Sequence, residues 1–450
     1  MLDSPYPAAE PPDAEKLSFP VGTITASIDD LIVGRALKAP IYDPHGRLLL
    51  AAGAVITATF KKLLRARNIE QVQLHADDLH GETSTESAPV RSRSTRSLTS
   101  DEQLTRDIDR ILDAGALKVV NTGPPVKDQL VAHGCSPYDP IQRERLLRHC
   151  DMTARLIEGM VHNCVTGKLI NGDDLQRVAA SFLAELCTDV ENVLTAAAEA
   201  HEDRALLEHS LQMSLLGMAM GIELGFDAEH VRIIGLCGLL HDWGLVKVPE
   251  QIRHAERQLA PGEIREWKRH PYYTLQLLDQ FKSVSATVRL VCFQVHEKPN
   301  GSGFPQGRGS SRIHQFAKIL HIADAYLTLT TPVPGRQPMS PYDAVALLIR
   351  SARQKSIDTA SLRAFLHVMA LFPLGSCVQL RDGSIGRVLR RNGPHYTRPI
   401  VSLLRGADGE QLQADSRIID LVALNMDVVR AVPAPHFAVA SSAEAVERAS

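Results

Sequence analysis

From residue 101 to about 370 the apolar positions recur at helical spacing almost without a break, and a run of that length commits the middle of the chain to a helical bundle. Candidate helices cover 101–113, 140–165, 173–200, 204–224, 228–243, 261–280, 284–296, 312–330, 341–353 and 359–371. Gly225 stands where a glycine would end one helix, and Asp227 is placed to cap the next by accepting its orphan N–H groups.

The flanks read differently. In 21–80, Ala39 to Tyr42 and Arg47 to Leu50 surround Asp43-Pro44-His45-Gly46, the pattern of a β-hairpin. A helix from Thr57 to Arg67 and a strand through Val72 and Leu74 complete a small α+β domain. Residues 81–100 are rich in Ser, Thr, Glu and Arg and read as a linker. The segment 373–430 returns to strand patterns about Asp382-Gly383 and Asp408-Gly409, a small β extension. Residues 1–20 and 431–450 read as flexible ends. The fold class is therefore mainly α, with a helical region at 101–194 leading into a helical core at 195–372.

A chain of 450 residues fits two to four domains. Its 49 basic and 52 acidic residues give a net charge of −3, with no general attraction for nucleic acid or anionic lipid. No apolar run approaches the ~20 residues of a membrane helix, so no membrane insertion is expected. Seven cysteines without a CxxC read as reduced thiols, and the expected location is cytoplasmic. The unusual quantity is 18 His, since imidazole is the commonest metal ligand.

Among these, His241-Asp242 ends an apolar helix (Val231, Ile234, Leu236, Leu239, Leu240), where a buried polar pair requires partners or a metal. His209 lies in an apolar helix, His270 closes a helix before Pro271, His296-Glu297 ends another, and Asp324 sits inside Ile319 to Asp324. Each alone reads better as a satisfied core or surface residue than as a ligand, and His321 is a poor fifth histidine. Together they place imidazole and carboxylate groups on separate helices of one bundle, as a metal site requires. Asn300-Gly301-Ser302-Gly303-Phe304-Pro305 makes a tight loop directly after His296-Glu297.

In this order, His209, His241-Asp242-x-Gly244, His270, His296-Glu297-x-x-Asn300-Gly301-x-Gly303-Phe304-Pro305 and Ile322-Ala323-Asp324 resemble the HD-GYP family, a branch of the HD superfamily of metal-dependent phosphohydrolases. The resemblance covers about 195–371, and 373–430 is similar to the small extension that often follows. It implies an all-helical domain that hydrolyses cyclic di-GMP to linear dinucleotide or GMP in bacterial signalling. One or two divalent metals, iron or manganese, would be held by His209, His241, Asp242 and Asp324 on one side, and by Asp242, His270 and His296 on the other. It further implies Asp242 and His241 as catalytic residues, and Arg336, Gly303, Phe304 and Pro305 as substrate contacts. Signalling proteins and a second copy of the chain are the other expected partners.

The sequence also departs from the family pattern. Val295 replaces the first of two adjacent histidines, Leu245 stands where a phosphate-binding Lys is usual, and Val333 takes the place of an Arg. Ala205 stands where some members carry a third-metal Glu, with Glu208 beside His209, and Phe304 replaces a Tyr. Lost cations weaken the grip on phosphate. The competing expectation is thus a catalytically impaired module that binds cyclic di-GMP or a protein.

Overall fold

A computed structural model describes residues 23–31, 37, 39–46, 48–52, 54, 56–67, 69–75, 78, 100–168, 170, 172–199, 205–281, 284–331, 337–413 and 416–433. Residues 1–20 and 434–450 of the expected flexible ends 1–20 and 431–450, residues 81–99 of the expected linker 81–100, and Val333 and Arg336 lie outside these residues, whereas a strand runs on to Val432 and Ser100 already opens a helix. The chain divides into two compact units, 1–96 and 97–450.

The first unit contains β1 (Thr23–Ser27), β2 (Ile41–Tyr42), β3 (Leu48–Leu50), α1 (Ala58–Ala66) and β4 (Gln71–His75). The expected hairpin is there, with Ile41 opposite Leu50. The strand through Val72 and Leu74 is interior, in the antiparallel order β1-β4-β2-β3. Ile41, Ile56, Val72 and Leu74 are fully buried in its core.

The second unit opens with α2 (Ser100–Asp113), α3 (Pro140–Val165), α4 (Asp173–Thr188), α5 (Val190–Glu199), α6 (Ala205–Glu223) and α7 (Ala228–Leu240). It continues with α8 (Glu250–Arg253), α9 (Pro261–Trp267), α10 (His270–Leu278), α11 (Ala286–Gln294), α12 (Gln315–Thr330), α13 (Pro341–Arg353) and α14 (Thr359–Met369). One apolar core runs through these helices from Leu104 to Met369. The chain ends in an antiparallel sheet of β5 (Cys377–Leu380), β6 (Ile385–Arg390), β7 (Ile400–Arg405), β8 (Ile418–Asp420) and β9 (Val428–Val432), ordered β8-β7-β6-β5-β9.

Three helices differ from expectation. The one expected at 173–200 breaks at Asp189, whose extended backbone ends α4 and whose carboxylate caps α5 through the Asn192 N–H at 3.0 Å. The one expected at 261–280 breaks after Trp267, so His270 begins a helix with Pro271 in its first turn rather than closing one. The one expected at 228–243 stops at Leu240, and Trp243–Lys247 forms a 3-10 turn.

Close approach of α6 and α7 fixes their relative height. A Cβ on Gly238 would fall 2.7 Å from the backbone N and Cα of Ser214, so only glycine permits this contact. His209 and His241, one on each side of that seam, bring their ring centroids to 5.7 Å.

Candidate metal centre

Asp242 stands at the centre of the cluster. Its Oδ1 lies 3.4 Å from His241 Nε2, 3.2 Å from His270 Nε2 and 3.1 Å from His296 Nε2. Asp324 on α12 lies 3.3 Å from His209 Nε2 and 3.2 Å from His296 Nδ1. Six side chains thus converge, and five of them form two sets of possible ligands, His209-His241-Asp242 and Asp242-His270-His296. Asp324 touches a member of each set.

The backbone decides which ring nitrogens face inward. His241 Nδ1 donates to the Gly238 carbonyl and His270 Nδ1 to the Trp267 carbonyl, both at 2.9 Å. With Nδ1 so engaged, each ring turns its Nε2 toward Asp242, the orientation a metal-ligating histidine needs. The buried His241 Nε2 has no hydrogen-bond partner, and His270 Nε2 and His296 Nε2 face each other at 2.9 Å. Buried nitrogens left in this state call for a cation, and imidazole with carboxylate suits a divalent first-row metal. The residues present therefore fit the metal that the resemblance implies.

Burial alone would raise both carboxyls, but His241 and His270 hold Asp242 well below the usual carboxylate range, and His209 and His296 do the same for Asp324. Burial opposes a charge on His296, yet the carboxylates on both of its nitrogens outweigh it and push the ring up to about 10. Burial lowers His270. His321 is lowered by burial to about 4, and its Nδ1 donates to the Val295 carbonyl at 3.1 Å, behind the cluster.

The turn between α7 and α10 is locked by Thr274, which sequence reasoning missed. Its hydroxyl donates to the His241 carbonyl at 2.8 Å and accepts from Gly244 N–H at 3.0 Å. At Gly244 a Cβ would meet the His270 carbonyl at 2.1 Å, so the spacing of His241 and His270 depends on glycine.

Over the cluster lies the loop 300–309. Phe304 stacks on His296, centroids 4.9 Å apart and planes 7° from parallel, and its N–H donates to the His296 carbonyl at 3.1 Å. Glu297, named in the sequence only as part of the motif, is buried and accepts from Gln306 N–H at 2.7 Å and Arg308 N–H at 2.8 Å, fastening the loop to the end of α11. Gly303 packs so closely that a Cβ would fall 2.3 Å from Lys298 N. Lys268 Nζ stands 5.6 Å from the Phe304 ring centre, and Lys247 Nζ donates to Gln276 at 3.3 Å. Leu245 is half-buried at the start of the same turn, and Val295 is fully buried.

Comparison with known proteins agrees with this geometry. Residues 193–360 match the HD domain family, and 377–434 match a KOW domain associated with HD domain. A helical bundle with this histidine and aspartate cluster is an HD domain. Specifically, the chain carries a domain of the HD-GYP family. A cyclic di-GMP phosphodiesterase of Pseudomonas aeruginosa is 25% identical over 282 residues, covering 62% of this chain and 67% of that protein. A cyclic di-GMP phosphodiesterase response regulator of Xanthomonas campestris is 30% identical over 159 residues, 34% of this chain and 41% of that one. A 3'3'-cGAMP-specific phosphodiesterase of Vibrio cholerae is 28% identical over 190 residues, 41% of this chain and 40% of that one. The chain thus spans about two thirds of the first relative and well under half of the other two. A solved HDG"Y"P protein from Bdellovibrio bacteriovorus is 16% identical, with a TM-score of 0.39, covering 76% of this chain and 98% of that one.

Proposed function

We propose that the chain is an HD-GYP-type phosphodiesterase that hydrolyses cyclic di-GMP to linear dinucleotide or GMP, with 195–372 as its catalytic domain. The observation that carries this reading is the convergence of four imidazoles on Asp242 and Asp324, with His241 Nε2 buried and unpartnered. His209, His241 and Asp242 would hold one divalent metal and Asp242, His270 and His296 another, with Asp324 beside both. Such a metal, iron or manganese in this reading, supplies Lewis acidity toward a phosphodiester and acidifies water.

The protein's own part is to orient and to shield. The Gly238 and Trp267 carbonyls keep His241 and His270 in one tautomer, and Thr274 keeps the two rings in register. Phe304 covers one face of His296 and excludes water from it. Lys268, exposed beside Phe304, offers a cation for a substrate phosphate near the cluster. Gly303 lets the loop approach the backbone of 296–298 closely. In our reading Phe304, Pro305 and Gly303 face the dinucleotide, and Arg336 is proposed as a substrate contact on the sequence resemblance alone.

The impaired-module alternative is not favoured: five candidate ligands stand together, with Asp324 beside them, despite Val295 and Leu245, and several relatives are phosphodiesterases. A role in bacterial signalling, a cytoplasmic location and a homodimer belong to the same proposal. Among the described residues no helix is long and apolar enough to cross a membrane.

The test is purification with iron or manganese under reducing conditions, metal counting, and incubation with cyclic di-GMP. Linear dinucleotide or GMP from the wild type, and none from Asp242→Ala, supports the enzyme. Bound metal and retained ligand binding without turnover sinks it in favour of the binding module. Preferential cleavage of 3'3'-cGAMP would move the substrate assignment to that dinucleotide.

A further inference from the structure

Helix α2 lies outside the matched HD domain residues, yet one of its faces is turned to the loop over the cluster. Leu104, Ile108 and Leu112 anchor it in the core. The neighbouring stripe, Asp101, Thr105 and Asp109 at intervals of four, meets a line of cations and hydroxyls. Asp101 Oδ2 accepts from Arg269 at 2.9 and 3.1 Å, directly before the candidate ligand His270. Thr105 contacts Tyr272 OH at 3.3 Å and accepts from Gln306 Nε2 at 3.3 Å. Asp109 Oδ1 accepts from Arg308 Nη1 at 2.8 Å and from Arg312 Nη2 at 3.2 Å.

The Arg308 contact matters most. Its side chain is only 8% exposed, so Asp109 answers a charge that is largely removed from water. Its backbone N–H is held by Glu297, next to His296. Arg308 is therefore held on two sides, by Glu297 at its backbone and by Asp109 on α2 at its side chain, four residues after Phe304, which lies flat against His296.

We propose that α2 is a brace that sets how the loop covers the histidine cluster, and that Asp109 is the positioning residue, acting through Arg308 on Phe304. The effect on turnover rests on the phosphodiesterase reading; the effect on loop position does not.

The protein contains its own probe. Of its two tryptophans, Trp243 is fully buried, while Trp267 is partly exposed and packs edge-on against Phe304 with centroids 5.7 Å apart. Acrylamide quenching of intrinsic fluorescence in the full chain therefore reports on Trp267. Asp109→Asn is expected to raise quenching, Asp109→Glu to restore it, and Arg308→Met to reproduce the Asn effect. The double variant Asp109→Asn/Arg308→Met should be no worse than either single change, as for residues acting as one pair. With cyclic di-GMP, KM should rise by about threefold or more in Asp109→Asn while kcat stays within about twofold, the pattern of lost substrate positioning. Wild-type quenching in Asp109→Asn, or additive effects in the double variant, overturns the brace. If the wild type shows no turnover while quenching behaves as expected, the brace stands and the phosphodiesterase reading falls.

Discussion

The guanidinium of Arg390 grips both carboxylate oxygens of Asp189 at 2.9 Å, joining the C-terminal sheet to the junction of α4 and α5. Both side chains are at most 3% exposed, and the Tyr138 ring lies 4.8 Å from the guanidinium. Removing one partner leaves the other buried with only a more distant ionisable contact, Arg390 to Glu191 at 3.5 Å or Asp189 to His133 at 3.7 Å. Arg390→Met is therefore expected to cost about 3–5 kcal/mol, and the double change with Asp189→Ala less than the sum of the single changes. Denaturant unfolding of the four proteins of that cycle checks it.

Asp242 touches three of the four clustered imidazoles, so Asp242→Ala should empty the site rather than weaken it. Metal content should fall below one per chain. Turnover should drop beyond the roughly 10–100-fold typical of changing a group behind a ligand. Elemental analysis beside product assays measures both, and a variant that retains metal and activity would contradict the central role of this carboxylate.

Gly303→Ala and Gly244→Ala test packing at the site. The added methyl would fall 2.3 Å from Lys298 N in one case and 2.1 Å from the His270 carbonyl in the other, and backbone atoms cannot step aside singly. Each should cost about 1–3 kcal/mol or more, as overpacking does. Only Gly244→Ala should also separate His241 from His270 and lower metal retention. Thermal unfolding with and without added manganese distinguishes them.

Asp227 predicts an acid limb. Burial would raise its carboxyl, but the N–H groups of His230, Thr122 and Gly123 outweigh burial and hold it well below the usual range. A depressed folded pKa gives stability that is full above the unfolded value of about 3.9 and is lost as pH falls through the folded one. Asp227→Asn should be less stable at neutral pH, and its deficit should shrink as the pH is lowered below about 4. Unfolding midpoints between neutral pH and pH 3 would show it.

The ligand candidates were legible because each sits in a short local signal: a polar pair ending an apolar helix (His241-Asp242), a lone polar residue inside one (His209, Asp324), a histidine before a proline (His270), or one beside a Gly-Pro loop (His296). Their convergence was inferred from order along the chain, and the structure brings five of them within ligand distance in two sets that share Asp242, with Asp324 in contact with His209 and His296. The break at Asp189 was hidden because the apolar spacing of Phe182, Leu186, Val190 and Val193 runs on across it. The Arg390 contact that accompanies that break lies 201 residues away. Strand β1 was overlooked although Thr23-Ile24-Thr25 carries β-branched residues that signal it. Asp109 was unreadable for a different reason: its partner Arg308 is 199 residues distant, and an acidic residue on an amphipathic helix resembles any solvated one.

The anchoring of the loop by α2 bears on how this protein can be divided. A fragment cut at residues 193–360 would retain every candidate ligand, along with Glu297 and Arg308, yet leave the Arg308 charge unanswered on its far side. The boundary by which the domain is recognised therefore differs from the boundary within which its site is complete. In that reading the residues of α2, Ser100–Asp113, belong with the site although they contribute no atom to the cluster itself.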